Sequence, residues 1–359
     1  MQALPSRLPI VQAPMVGSLS PLAIAVCEAG GLGSLACAAL DAARLREQVR
    51  LIRASTVAPF NLNFFCHLPP QADDAAQARW RQMLARYYDE AGLDPSAAQT
   101  GPGRAPFDEA MCEVVEETRP PVVSFHFGLP DAGLLARVKR TGAMVLSSAT
   151  TVEEARWLEA HGADAVIAQG TEAGGHRGMF LADDIAAQPG LFALLPQIVD
   201  AVKLPVIAAG AIADGRGIAA AMALGASAVQ VGTGYLLAPQ AGRSAIHRAA
   251  IGAARDDATR LTNLYTGRAA RGVVTRFMRE QGPMSRSAPA FPLATGAVDP
   301  LRAAFEAAGK NDFSLLWAGE AAALAREEDA GVFTLRIWAE AQEHATGLAA
   351  RLRGGRSSG

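Results

Sequence analysis

Short apolar runs recur along the chain at residues 9–15, 33–36, 60–65, 122–127, 144–148, 165–168, 205–209 and 228–231. Each is short enough for a strand, and most are continuously apolar, the pattern of strands buried on both faces. Between them lie amphipathic stretches at 42–55, 108–119, 131–140, 152–161, 191–202 and 216–224, with apolar positions at helical spacing. Eight strands alternating with helices predict an α/β fold of the (β/α)8 type, a TIM barrel, in preference to an open sheet. Two segments echo one another, Gly162-Ala163-Asp164-Ala165-Val166 and Gly225-Ala226-Ser227-Ala228-Val229. Each reads as a helix ending in glycine, a tight turn and a strand, one repeat of such a barrel.

Two regions break this rhythm. Residues 68–107 are rich in Ala, Pro, Gly and Gln and are expected to form an insertion over the barrel mouth. Residues 240–359 follow the eighth strand and are too long for a tail. They are expected as a mainly helical C-terminal subdomain or lid, packed on a barrel made by residues 1–239.

Composition narrows the function by exclusion. Of 359 residues, 50% are hydrophobic and 19% charged, with a net charge of -2. That balance is globular and offers no basic footprint for nucleic acid. No apolar run reaches the ~18 residues of a membrane-spanning helix. Cys27, Cys37, Cys66 and Cys112 show no CxxC spacing, and three of them sit in apolar segments, so thiols are expected rather than disulfides or metal ligands. The start, Met1 to Arg7, runs straight into the first strand pattern and leaves no room for a signal peptide. A cytoplasmic enzyme acting on a small molecule, as a monomer or homodimer, is the expectation.

In a (β/α)8 barrel the reactive groups gather where strands end. Those positions hold Ala13-Pro14-Met15 after the first strand, Asn61 and Asn63 on the third, His126 on the fourth, and Ser147 and Ser148 on the fifth. The run Gln169-Gly170-Thr171-Glu172-Ala173-Gly174-Gly175-His176-Arg177-Gly178 follows the sixth strand and puts four glycines and one imidazole into ten residues. Glycine lets backbone approach a ligand closely, and a histidine held there is a candidate proton acceptor. After the seventh and eighth strands come Gly210 and Gly232-Thr233, in loops of small residues. Backbone N–H groups in such loops commonly bind phosphate in barrels, so a phosphorylated cofactor is expected across the mouth. His67, His161, His247 and His344 read as structural or solvated, and Glu172 as a loop-orienting or substrate-touching group. No metal site is expected, since no His-x-His or acidic cluster stands at the strand ends.

The order of these motifs resembles the nitronate monooxygenase family, formerly called 2-nitropropane dioxygenases, and most closely its class I members. The likeness is carried by Gln12-Ala13-Pro14-Met15, Asn61-Leu62-Asn63-Phe64-Phe65, Ser124-Phe125-His126-Phe127-Gly128, Ser148-Ala149-Thr150-Thr151 and the run from Ala168 to Gly178. It continues more weakly through 268–278 and 316–319. The resemblance implies FMN held non-covalently at the barrel mouth and oxidation of alkyl nitronates, such as propionate 3-nitronate, with molecular oxygen. By the same likeness His176 matches the catalytic base and His126 lines the substrate pocket. Ala13, Pro14, Met15, Asn63, Gln169, Gly174, Gly175, Gly210, Gln230, Val231, Gly232 and Thr233 match flavin-contacting positions.

The chain departs from the class I pattern Tyr-Pro-x-x-Tyr-x-x-x-Lys, for which it has Phe291-Pro292, Thr295 and Asp299. Phe291 then becomes a substrate-pocket residue, both phenol hydroxyls are lost, and a carboxylate replaces a cation. That charge would repel an anionic nitronate. Two further readings stay open: an FMN-dependent NAD(P)H reductase of a quinone or enoyl thioester, and a cofactor-free barrel acting as a binding protein. Related reductase barrels share the turn at Ala173-Gly174-Gly175-His176.

Overall fold

The computed structural model describes residues 4–71, 73–95 and 104–354. Its strands in chain order begin with β1 (Ile10–Gln12), β2 (Gly33–Ala36), β3 (Phe60–Phe65), β4 (Val122–His126), β5 (Met144–Ala149) and β6 (Ala165–Gln169). A two-residue β7 (Gly175–His176) stands outside the barrel, and β8 (Val206–Ala209) and β9 (Ala228–Val231) return to it. The parallel order is β1-β9-β8-β6-β5-β4-β3-β2. The ends meet at Leu32, whose N–H donates to the Ile10 carbonyl at 2.8 Å while the Gln12 N–H donates to the Leu32 carbonyl at 3.0 Å. The eight expected strands therefore close a (β/α)8 barrel. The first is shorter than the apolar run 9–15, because Pro14 has no N–H to give a ladder.

The helices are α1 (Ser20–Glu28), α2 (Ala42–Ser55), α3 (Asp74–Ala91), α4 (Glu109–Thr118), α5 (Ala132–Arg140), α6 (Val152–Ala160), α7 (Leu191–Ala201), α8 (Gly215–Ala223), α9 (Ala245–Gly252), α10 (Arg276–Gln281), α11 (Thr295–Ala307) and α12 (Ala330–Gly354). Asp41, Asp108, Asp131, Thr151 and Asp214 each accept backbone N–H bonds at the start of a barrel helix. The two echoing segments do follow helices, and Gly162 (φ 99°) and Gly225 (φ 96°) take the left-handed turn that ends them. Helix α1 had no sequence signal: Leu22, Ala23, Val26 and Cys27 are buried with Ile24 and Ala25 between them, so it shows no polar face.

The region after β9 divides in two. Residues 240–329 hold α9, α10, α11 and the hairpin of β10 (Thr259–Thr262) and β11 (Ala270–Val273). Helix α12 instead lies against α8 and α1, closing the ring of barrel helices. Phe333, Ile337 and Ala341 join the same core as Val26, Ile218 and Ala221. At Gly215 a Cβ would stand 2.3 Å from that of Glu340, which measures how closely α12 is seated. The C-terminal stretch is thus part barrel wall and part cover, since the apolar stripe of α12 fits the gap that eight strands leave for an eighth helix.

Within the expected insertion, α3 packs on α11 through Trp80, Leu84 and Tyr88 against Ala297, Val298 and Leu301. Residues 72 and 96–103 lie outside the described part. Among the described residues all four cysteines are free, and no helix is long and apolar enough to cross a membrane.

Candidate active site

Strand alternation decides which side chains reach the barrel mouth. On β6 Ile167 and Gln169 point inward while Val166 and Ala168 join the outer core. The same parity on β9 turns Gln230 to the mouth and Val231 to the outer core, where it is fully buried.

Beyond β6 the chain is tied down by its own side chains. Arg177 is fully buried and donates to the carbonyls of Gly170 at 2.5 Å and Gln169 at 2.8 Å, and to Gln188 Oε1 at 2.9 Å. Gln169 spans the loop, its Nε2 donating to the His176 carbonyl at 3.0 Å and its Oε1 accepting from Gly178 N–H at 2.8 Å. Glu172 accepts from the Leu191 N–H with both oxygens at 2.9 Å, so its charge caps α7. This loop then forms β7, which pairs with β11, His176 opposite Ala270.

His176 is thereby presented on a short strand. Its Nε2 lies 2.9 Å from Thr266 Oγ1, and its ring is walled by Phe291 at 5.2 Å and Trp317 at 5.6 Å between centroids. Burial, then the charges of Arg104, His126, Arg268 and His67, hold its pKa well below the usual imidazole value. His126 stands behind it. Its Nε2–H donates to the His176 carbonyl at 3.1 Å, which leaves Nδ1 to accept from Ser148 Oγ at 3.0 Å. Burial pushes His126 down to about 4 as well.

These groups share one cavity of about 410 Å³, within the range of roughly 300–1,000 Å³ common for cofactor sites. Its lining includes His176, His126, Ala13, Pro14, Met15, Asn63, Gln169, Gly174, Gly175, Gly210, Gln230, Gly232 and Thr233. Two expected positions lie outside it. Val231 faces the outer core by strand parity, and Phe291 packs behind His176 with Phe65 and Phe127. Residues without a sequence signal also line the cavity, Arg104, Arg243 and Arg302, beside Trp317 from the weaker match at 316–319. His247 joins them, its Nε2–H donating to the Trp317 carbonyl at 3.1 Å.

A flavin nucleotide fits the chemistry of this lining. Gln230 Oε1 is buried with no partner, an acceptor awaiting a ring N–H. Gly210 (φ 125°) and Ala211 (φ 54°) take positive φ in a loop of small residues on the cavity wall, where no bulky side chain keeps an anion from the backbone N–H groups. Asp214 occupies the start of α8, so an anion there depends on the loop rather than on the helix end. Thr233 Oγ1 accepts from the Gly319 N–H at 2.9 Å and keeps its own proton to donate.

The family model for nitronate monooxygenase matches residues 1–331. The chain belongs to the nitronate monooxygenase family. It is accordingly an enzyme, a flavin-dependent oxidoreductase. A nitronate monooxygenase of Pseudomonas aeruginosa is 44% identical over 322 residues, covering 89% of this chain and 92% of that protein. One of Paraburkholderia phytofirmans is 42% identical over 338 residues, covering 93% and 92%. Among solved structures, a nitroalkane oxidase from Streptomyces ansochromogenes superimposes with a TM-score of 0.88 at 42% identity, covering 96% of this chain and 98% of its own. FabK from Thermotoga maritima superimposes with a TM-score of 0.74 at 28% identity over 97% of both chains.

Within this nitronate monooxygenase fold, Gly174 and Gly178 have packing reasons of their own. A Cβ at Gly174 would stand 2.5 Å from the Gly319 nitrogen, and one at Gly178 2.8 Å from His126 Cε1. Thr266 lies 90 residues from His176 in sequence, and only the β7–β11 pairing reveals it.

Proposed function

We propose that the protein holds FMN at the barrel mouth and oxidises alkyl nitronates with molecular oxygen, His176 acting as base when the substrate arrives as a neutral nitroalkane. The observation that carries this reading is a half-buried imidazole, its pKa held well below the usual value, on the wall of a cavity whose far loops suit a phosphate. Gly210, Ala211, Gly232 and Thr233 would hold the phosphate, and Asn63, Gln169 and Gln230 the ring edge, with the backbone of Ala13 through Met15 beside it. When bound, the flavin supplies the electron transfer between substrate and oxygen.

The protein's own part is to place a proton acceptor. Thr266 Oγ1 donates to the Arg268 carbonyl at 3.4 Å and so accepts from His176 Nε2–H, which leaves the Nδ1 lone pair to take the proton beside a nitro group. His126 and Gln169 both hold the His176 carbonyl, which fixes the backbone under the imidazole. Phe65, Phe291 and Trp317 keep bulk water from the ring.

The test is an absorption spectrum of the purified protein, then turnover of nitroethane and of ethyl nitronate by the protein and by His176→Ala. Flavin bands, loss of nitroethane turnover in the variant and retained FMN agree with the proposal. Unchanged nitroethane turnover overturns the base assignment. Rapid flavin bleaching by anaerobic NADH with no nitronate consumption would instead favour the reductase reading.

A further inference from the structure

Phe127 and Arg268 are left unused by the mechanism above, yet both stand against its base. Phe127 follows β4 at φ 71°, a left-handed backbone that bulky side chains rarely take, and Gly128 continues it at φ 91°. Such strain persists only where the surroundings hold it, and it collects at functional sites. Here it accompanies a ring that backs both imidazoles. Between centroids the Phe127 ring lies 4.5 Å from His126, 6.1 Å from His176, 4.9 Å from Phe65 and 5.6 Å from Phe291.

That ring carries the guanidinium of Arg268, whose Cζ stands 4.0 Å from the centroid. Arg268 Nη2 donates to the Met179 carbonyl, while its Nε is buried with no hydrogen-bond partner among the described residues. Burial brings this guanidinium down to about 10, so it is a cation at neutral pH. Glu154, fully buried, is the acid in its field, and its carboxylate accepts from the N–H groups of Phe180 at 2.6 Å and Leu181 at 3.2 Å. The stretch that follows the glycine-rich loop is therefore gripped twice, at 179 by Arg268 and at 180–181 by Glu154.

Arg268 also sits in the turn between β10 and β11. Its carbonyl accepts from Thr266 Oγ1 at 3.4 Å, and the same oxygen lies 2.9 Å from His176 Nε2. The turn has little room to shift: a Cβ at Gly267 (φ 88°) would stand 2.0 Å from the Pro289 carbonyl oxygen. Resting on the reading of His176 as base, we infer that Phe127 and Arg268 are positioning residues for it. The guanidinium stacked on the Phe127 ring locks the β10–β11 turn, and the turn aims the Thr266 hydroxyl that fixes the His176 tautomer. A planar cation on a ring face sets an orientation that an alkyl chain cannot supply.

The experiment follows Arg268→Met, Arg268→Lys and Phe127→Leu beside the unaltered holoenzyme. The first readout is nitrogen NMR of protein labelled at histidine, the His176 signals being those lost in His176→Ala. The unaltered protein should show one His176 tautomer, protonated at Nε2. In Arg268→Met and Phe127→Leu its two ring nitrogens should move toward a common, averaged shift. Arg104, His126, Arg268 and His67 are the charged and titratable groups acting on His176, so Arg268→Met removes a cation and should also raise the midpoint of its protonation. The second readout is turnover. With nitroethane kcat should fall about tenfold or more in Arg268→Met and Phe127→Leu, part of what a placed base contributes. Ethyl nitronate, which has already lost that proton, should keep its kcat and KM, and Arg268→Lys should recover part of the nitroethane loss. A His176 tautomer unmoved in either variant, unchanged nitroethane turnover, or equal losses on the two substrates overturns the clamp. Should the unaltered enzyme consume neither substrate, the reaction reading fails, and the NMR still decides whether Phe127 and Arg268 hold the imidazole.

Discussion

His176 owes its chemistry to contacts made by its neighbours, and single atoms can be removed to show it. Thr266→Val deletes the hydroxyl 2.9 Å from Nε2 while keeping the volume. The imidazole then loses the partner that fixes its tautomer, and nitroethane turnover should fall about tenfold or more with FMN content unchanged. Unchanged steady-state turnover would mean that Thr266 does not set the tautomer. Gly174→Ala tests packing instead of chemistry. Its new methyl would meet the Gly319 nitrogen at 2.5 Å and the Ala318 carbonyl carbon at 2.6 Å. Both are backbone atoms and cannot rotate aside, so the substitution should cost roughly 1–3 kcal/mol in thermal unfolding. A variant as stable as the parent would show that the segment at 318–319 yields freely.

At the scale of elements, what the sequence discloses depends on how local the cause is. Barrel strands are legible because burial on both faces leaves continuous apolar runs, and α2 matches its expected 42–55 because Asp41 caps it and one face is polar. The glycine-rich loop is legible for the same local reason. Motif likeness is blind to strand parity, which turns the Val231 side chain to the outer core, and Thr266 went unseen because its bond to His176 spans 90 residues of sequence. Helix α12 shows the same limit: its stripe of Phe333, Ile337 and Ala341 reads as amphipathic, but which surface receives it is a tertiary fact. Since that surface is α8 and α1, Ile337→Ala should behave as a barrel-core truncation. The expected loss is about 2–5 kcal/mol in denaturant unfolding, with KM unaltered. A changed KM at parental stability would make α12 a lid.

Across the whole molecule, histidines that the fold keeps neutral make it sensitive to acid. His67, His126 and His247 are each pushed down to about 4, chiefly by burial, and His176 lies well below 6.5. In the unfolded chain each titrates near 6.5, so below that pH the unfolded state binds more protons than the native one. The stability that neutral burial contributes is fully present above about pH 6.5 and is lost as pH falls through about 4. Each such histidine adds a slope of about 1.4 kcal/mol per pH unit at most, so several together should remove several kcal/mol over that window. Nitroalkane chemistry should fail later than stability does, because His176 stays unprotonated, and able to accept a proton, well below 6.5. Urea unfolding and kcat/KM for nitroethane, followed from pH 7.5 to 4.5, should therefore separate, stability sloping downward while kcat/KM holds near its plateau. His247→Gln, which removes one titrating group away from the base, should flatten the stability slope by about one histidine's share. If instead kcat/KM falls with a midpoint near 6.5 while stability stays level, the imidazole at 176 is solvated and the shielding assigned to Phe65, Phe291 and Trp317 is wrong.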